Sequence, residues 1–304
     1  KEVPVSTIGR LRNKGALRRI LFLALMGVGH VASAAAQEVV AFPLPGEAIY
    51  EVRLTDGSLI YGRVTDVSGD RVSITTSAGV ELDLQRSQIR QLSAAEGRFV
   101  DGEFWREDPN GTRLFFTATG RAIPAGEAYL GTYFLFLPFV AVGVSDDFTL
   151  AAGAPVLFGK VEPFYLAPKV RIVDTEAADI SLGTVVFFLD NLDNENIGIA
   201  YGVGTFGSKD RALTAGLGLG YSGVDFSSQP VAMIGGETRV SRRVKLMTEN
   251  YFLPGETGLV FSGGMRIIGE RFSTDLGVVG TAGAAGGTCC VPIVNFSYSF
   301  GLAR

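Results

Sequence analysis

The sequence predicts an all-β protein: a transmembrane antiparallel up-and-down β-barrel of about 12 strands, preceded by a small β-barrel domain. Three observations carry that prediction. Over the C-terminal two thirds, bulky apolar residues alternate with small or polar ones at a two-residue period, segment after segment. Glycine numbers 40 in 304 residues, about 13%, against roughly 7% in average proteins, and it stands beside 21 Phe and 9 Tyr. Hydrophobic residues reach 47% while charged residues are held to 19%, a mixture that is neither disordered nor collagen-like.

The first 36 residues read as an export signal. A basic region (Arg10, Arg12, Lys14, Arg18, Arg19) precedes the apolar run from Ile20 to Val28, and small residues from Ala32 to Ala36 close it, which places cleavage after Ala34 or Ala36. The run is short for a bilayer span of about 20 residues, which favours a cleaved signal over a retained anchor. Its loss changes the charge. It carries six of the 27 basic residues and one of the 31 acids, leaving 21 against 30 and a net charge of −9. An acidic mature chain is a poor ligand for nucleic acid. Removal also takes His30, the only histidine, and with it Ser-His and Cys-His catalysis and histidine metal ligation. The sequence therefore predicts no enzyme, no metal and no cofactor. Cys289 and Cys290 are adjacent, which suits neither a spaced staple nor a zinc site, and they read as two neighbouring loop thiols.

Residues 48–93 show short runs of β-formers with a turn signal about every ten residues: Asp56-Gly57, Ser68-Gly69-Asp70 and Ser77-Ala78-Gly79. Gly62 sits inside a strand, where a small barrel needs a bend. This stretch resembles bacterial SH3-like or Sm-like mini-barrels. Tyr50 and Tyr61 are its only aromatics, too few for a proline-motif groove, and export with an acidic balance disfavours an RNA role. Residues 94–111 turn polar and read as a linker, with Asp108-Pro109-Asn110-Gly111 as a strong turn signal. Trp105, the only tryptophan, is expected either at a membrane interface or packed on the rim of the small barrel.

Residues 112–304 are assigned to the large barrel. Ile197, Ile199, Tyr201 and Val203 alternate with Gly198, Ala200, Gly202 and Gly204; the last segment sets Val294, Phe296, Tyr298 and Phe300 against Asn295, Ser297, Ser299 and Gly301. A bulky outer face over a small or polar inner face is what a closed sheet in lipid requires, because lipid offers backbone groups no hydrogen bonds. A soluble sandwich would carry charges on its outward face. Here Lys169, Arg171, Glu237, Arg239, Lys245, Glu249 and Arg266 fall on the face opposite the bulky residues and are predicted to line the lumen, either meeting in a network of ion pairs or facing water. Twelve segments are counted, near 112–119, 128–144, 147–157, 163–173, 179–189, 197–206, 211–222, 230–240, 243–252, 257–268, 271–280 and 291–302, with ten strands as the fallback. The charge-free stretch 128–144 is read as one long bulged strand, since Pro138 and two glycines argue against a helix.

On these features the chain resembles bacterial outer-membrane β-barrel proteins. The resemblance implies an outer-membrane location with the mini-barrel in the periplasm and outer-membrane lipid as surroundings. It also implies recognition of the final strand by the barrel-assembly machinery through Val294, Phe296, Tyr298 and Phe300. Arg304 departs from the aromatic terminus usual in that class. Other motifs are weak. Gly202 to Gly207 spells a dinucleotide fingerprint but is followed by Gly/Leu alternation in place of a helix, Ala154 to Val161 lacks the first glycine and hydroxyl of a phosphate loop, and Asp190, Asp193 and Glu195 read as a solvated acidic loop. The functional expectation is a narrow pore for small polar solutes. The alternative is a closed structural or docking barrel whose residues 48–93 bind a periplasmic partner.

Overall fold

A computed structural model describes residues 45–155, 163–189, 196–255, 258–283 and 286–301. The export signal, His30 and the acidic loop residues Asp190, Asp193 and Glu195 lie outside them, as does most of the stretch read against a phosphate loop.

The N-terminal strands β1 (Ile49–Leu54), β2 (Leu59–Ser68), β3 (Arg71–Thr76), β4 (Glu81–Gln85) and β5 (Ile89–Ala94) form one antiparallel sheet in the order β4-β3-β2-β1-β5, with a 3-10 turn at Arg86–Gln88 before the last strand. Alternation decides which side is buried: Val52, Val64, Val72 and Ile74 are fully enclosed and pack with Leu84 and Ile89. Each such aliphatic side chain contributes roughly 1.5–3 kcal/mol relative to exposure. At Gly62 a Cβ would lie 2.5 Å from Ile74 Cγ2 and 2.6 Å from the Thr75 carbonyl oxygen, so only glycine lets β2 and β3 approach there. The predicted linker is not featureless: β6 (Gly97–Val100) and β7 (Glu103–Arg106) make a hairpin, and Phe104 stacks on Tyr61 at 4.4 Å between ring centroids.

The wall of the large barrel comprises β8 (Glu127–Tyr133), β9 (Leu137–Gly143), β10 (Phe148–Gly153), β11 (Phe164–Asp174), β12 (Ala178–Phe188), β13 (Ile197–Gly207), β14 (Arg211–Ser222), β16 (Val231–Ser241), β17 (Val244–Phe252), β18 (Leu259–Ile268), β19 (Phe272–Gly283) and β20 (Gly286–Gly301). A two-residue strand, β15 (Asp225–Phe226), pairs back on β14 outside the ring. Every wall strand pairs antiparallel with its neighbour in sequence, and β20 pairs with β8 from Phe296↔Thr132 to Gly301↔Glu127, closing a 12-strand barrel. Closure leaves no edge to be covered. Connections at 144–147, 175–177, 208–210, 242–243 and 269–271 lie at the end of the barrel that carries the N-terminal sheet; at the other end those at 154–163, 189–196, 223–230 and 253–258 are longer, while β8–β9 and β19–β20 are joined by three and two residues.

The strand count agrees with expectation through two compensating differences. Residues 112–119 are not a wall strand: they hold one isolated bridge, Arg113↔Ala118, and lie inside the barrel. The stretch 128–144 is two strands, because the chain turns at Phe134 and Leu135, which take positive φ of 49° and 70°. The wall therefore begins at Glu127, not at residue 112.

Polarity is inverted relative to a soluble domain. Leu130, Ile172, Leu182, Leu213, Leu217 and Phe296 face outward and are exposed, while Lys169, Thr214, Glu237, Lys245, Arg266, Asp275 and Asn295 are buried within. On β20 the outward set is Val294, Phe296, Tyr298 and Phe300, with Ile293, Asn295 and Ser297 turned in. Cys289 and Cys290, at the β19–β20 end away from the N-terminal sheet, are joined in a disulfide and not left as thiols.

Replacing Gly62 with valine is expected to overpack the β2–β3 crossing, at a cost of about 1–3 kcal/mol. Amide exchange in β1–β5 should accelerate while the heat-modifiable electrophoretic mobility of the barrel stays unchanged. Loss of both would mean that the two parts do not fold separately.

Candidate functional site

The site is the lumen and what fills it. Between the N-terminal hairpin and β8, residues 107–126 enter the barrel as an irregular segment, here termed the plug, and its Asn110, Arg113, Leu114, Phe115, Thr119, Arg121 and Ile123 are buried. Its apolar side chains pack on the inner wall: Leu114 against Val203 and Met233, Phe115 against Met247 and Ile293, Ile123 against Tyr129, Phe139 and Ala141.

A buried backbone without a ladder needs partners for its N–H and C=O groups, and the wall side chains supply them. Arg266 donates to the carbonyls of Asn110 (2.6 Å), Arg113 (3.2 Å) and Leu114 (3.0 Å). Asn295 donates to Phe115 O and Ser299 to Pro109 O. Glu249 accepts from the amides of Phe116 and Thr117, both at 3.0 Å, and from the Tyr251 hydroxyl. Thr205 accepts from Gly120 N, Ser181 donates to Gly120 O, and Thr149 accepts from Ile123 N. Lys169 donates to the carbonyls of Thr119 (2.7 Å) and Arg121 (2.5 Å). Gly120 itself is forced, since a Cβ there would collide with the Asp179 carbonyl and come within 3.0 Å of Thr205 N.

Charge is balanced at the same place. Asp108 of the plug meets Lys245 at 2.8 Å and Arg266 at 3.2 Å; Glu237 takes Lys245 at 2.9 Å and Arg121 at 2.5 Å; Arg266 also takes Asp275 at 2.6 Å. Three carboxylates thus face three cations, the condition under which a buried ionic cluster is tolerated. Burial alone would raise the Asp108 carboxyl, but the Lys245 ammonium and the Arg266 guanidinium override it and hold it well below the usual carboxylate range.

Of the seven residues predicted to line the lumen, Lys169, Glu237, Lys245, Glu249 and Arg266 are buried and engaged as described. Arg171 sits at the rim with Asp147, Asp174 and Asp179. Arg239 is drawn toward the N-terminal hairpin, donating to Arg106 O, pairing with Asp210 at 3.3 Å and lying 5.1 Å from the Trp105 ring centroid. The N-terminal sheet is fastened here too: Arg53 pairs with Glu270 at 3.0 Å, and Arg106 with Glu51. Sequence reasoning missed the plug, with its Arg121, and the wall residues Ser181, Thr205 and Asn295 as its polar partners. One signal was present: Lys169 has no carboxylate beside it on its own strand pattern, so its partner had to come from elsewhere.

The plug divides the free space in two. On the side of the N-terminal sheet is a polar chamber of about 860 Å³, lined by Arg106, Asp108, Arg121, Arg171, Asp179 and Lys209 among others. Beyond the plug lies an aromatic cavity of about 470 Å³, walled by Tyr129, Tyr133, Phe139, Tyr165, Ile199 and Met233 among others. Among the described residues no group of three His, Cys, Asp or Glu side chains is placed to hold a metal ion.

No protein-family model matches the chain, and no curated protein matches its sequence. Among solved structures it is similar to a KdgM porin, at 10% sequence identity and a TM-score of 0.41, over 57% of this chain and 99% of that one. The barrel assignment stands on the strand pairings themselves.

Two outcomes follow from the pinned plug. Glu249→Ala leaves the Phe116 and Thr117 amides without their acceptor, at a cost of about 1–3 kcal/mol for an unsatisfied buried group; hydrogen exchange at those two amides should speed by tenfold or more, with the wall strands unaffected and Glu249→Gln intermediate. Because the Asp108 carboxyl is depressed, its contribution is complete above the unfolded value of about 4 and is lost as pH falls toward the lower folded value. Exchange protection of the Asn110 amide, which donates to the Asp108 carboxylate, should therefore persist down to about pH 4 and decline only below it.

Proposed function

We propose that the chain is an integral outer-membrane β-barrel protein, porin-like in build, whose lumen is closed at rest by its own residues 107–126. The inverted polarity of the wall supports the location. An exterior of Leu, Ile, Val and Phe would be a large aggregation surface in water, whereas a closed strand ring with an apolar exterior is one of the two structures that satisfy every backbone group in lipid. Short connections throughout the end bearing the N-terminal sheet, with four longer ones opposite, match the usual orientation of such barrels, with the N-terminal domain in the periplasm. The outward Val294, Phe296, Tyr298 and Phe300 of β20 are the surface offered to the assembly machinery.

The observation that carries the closed state is the set of wall side chains, from β10 through β20, that hydrogen-bond the plug backbone. The reading is of a non-enzymatic protein, with outer-membrane lipid as its surroundings and no nucleic acid as partner. The five-strand order with a 3-10 turn before the last strand supports an SH3-like N-terminal domain, available to a periplasmic protein. A narrow pore for small polar solutes is the second reading, favoured by the polar chamber that leads to the plug. Conduction then requires the plug to leave.

Planar-bilayer recording separates these readings. The wild-type chain, inserted and folded by its heat-modifiable band, is expected to be silent. A variant whose residues 112–120 are replaced by Gly-Ser of equal length is expected to show steady open steps. Open steps in the wild type would sink the closed state, and a folded but silent variant would mean that the plug is not the barrier.

A further inference from the structure

We propose that the aromatic cavity beyond the plug binds a small amphipathic monoanion, an apolar body carrying one carboxylate, with Arg113 as the counter-ion. The inference rests on the plugged lumen and depends neither on the cellular location nor on conduction.

Arg113 is the anomaly among the buried cations. It is 2% exposed and donates through Nε to Asn110 Oδ1 at 3.0 Å, yet its two terminal nitrogens have no hydrogen-bond partner, and no carboxylate pairs with it among the described residues. The other buried cations are all engaged: Arg266 with Asp275 and Asp108, Arg121 and Lys245 with Glu237, Lys169 with two plug carbonyls. A buried guanidinium with two idle nitrogens stands only if something compensates it. Aromatic faces do so in part, with the Phe139 centroid at 4.1 Å and that of Tyr133 at 4.6 Å from the guanidinium carbon. Both terminal nitrogens are covered by these rings, so an anion engages the fork, whose geometry matches two carboxylate oxygens, as the rings shift aside.

Arg113 also lines the cavity, whose volume of about 470 Å³ falls within the range of small-molecule sites, roughly 300–1,000 Å³. Its surroundings select the rest of the ligand. Several of the polar tips nearby are already used by the plug: the Tyr129 hydroxyl bonds Thr112, that of Tyr133 bonds Phe116 O, and that of Tyr251 bonds Glu249. What is left to an occupant is ring faces and the Tyr165 and Tyr201 hydroxyls, continued by Phe187, Ile199 and Val231 toward the end of the barrel away from the N-terminal sheet. A sugar or a free ion would find few partners there. An alkyl or aryl body would find a wall of its own kind, with its head at Arg113.

The test is titration of the full mature chain, refolded in amphipol, with 1-¹³C-decanoate followed by its carboxyl resonance. Decan-1-ol, decyltrimethylammonium and decyl phosphate serve as head-group probes. Decanoate is expected to saturate one site, Arg113→Gln to weaken it at least tenfold without changing the weaker binding of decanol, and decyltrimethylammonium not to compete. Ala151→Phe fills the cavity from the wall without touching Arg113 and is expected to abolish decanoate binding, so the proposal is decided even if Arg113→Gln fails to fold. Absence of saturable binding by the wild type, unchanged affinity in either folded variant, or equal competition by decanol would overturn it. Tighter binding of decyl phosphate would assign the site to a phosphate-headed lipid instead.

Discussion

An irregular stretch of polypeptide can occupy the inside of a β-barrel only if each of its buried amides and carbonyls finds a partner that no ladder provides. This requirement governs the lumen. Arg266, Glu249, Lys169, Thr205, Ser181 and Asn295 point inward from strands distributed around the ring, and each is spent on a backbone group of the plug. Leaving one such group unpaired costs about 1–3 kcal/mol, so the pattern of inward polar residues is as constrained as any apolar core. The same side chains that make the barrel interior polar therefore also make it full. Porosity, where it exists in such a barrel, is a property of the plug and not of the strand number.

Most of the wall could be read from alternation, because a strand with one face outward and apolar and one toward the lumen has no freedom to exchange them without moving every residue to the wrong side. The segments from β11 to β18 lie within a few residues of where the pattern puts them. The two differences have separate causes. Thr112 to Thr119 reads like a strand because it packs Leu114 against β13 and β16 and Phe115 against β17 and β20, an apolar environment on both sides that period two describes equally well. The turn at Phe134 and Leu135 has none of the Gly, Asn, Asp or Pro residues that mark reversals, so nothing in composition separates β8 from β9. Of the site, the inward charges were legible by face alone. Their partners were not, because those lie in a segment whose fold is dictated by the wall and not by itself.

The N-terminal sheet and the barrel are coupled through charged residues at the connections. Arg53 and Arg106 reach Glu270 and Glu51, Lys209 reaches Glu107 at 2.7 Å, and Arg239 lies over Trp105. The exposed pairs, Arg53–Glu270 and Lys209–Glu107, each contribute little, on the order of 0–1 kcal/mol. Their effect is geometric: they fix the point where the chain leaves the hairpin and enters the lumen.

The seam of the barrel joins its first and last strands, β8 and β20, and that has a consequence for the order of construction. The plug is synthesised before any wall strand, and Asn295 and Ser299, which hold Phe115 and Pro109, belong to the strand made last. Until β20 zips onto β8 the wall is a trough open along one side, and the plug can be laid into it laterally. Once the seam is shut, the bulk of Phe115, Arg113 and Ile123 would have to enter as a loop through the mouth of the barrel. The barrel is thus built around its contents, and completing the seam and capturing the plug are one event.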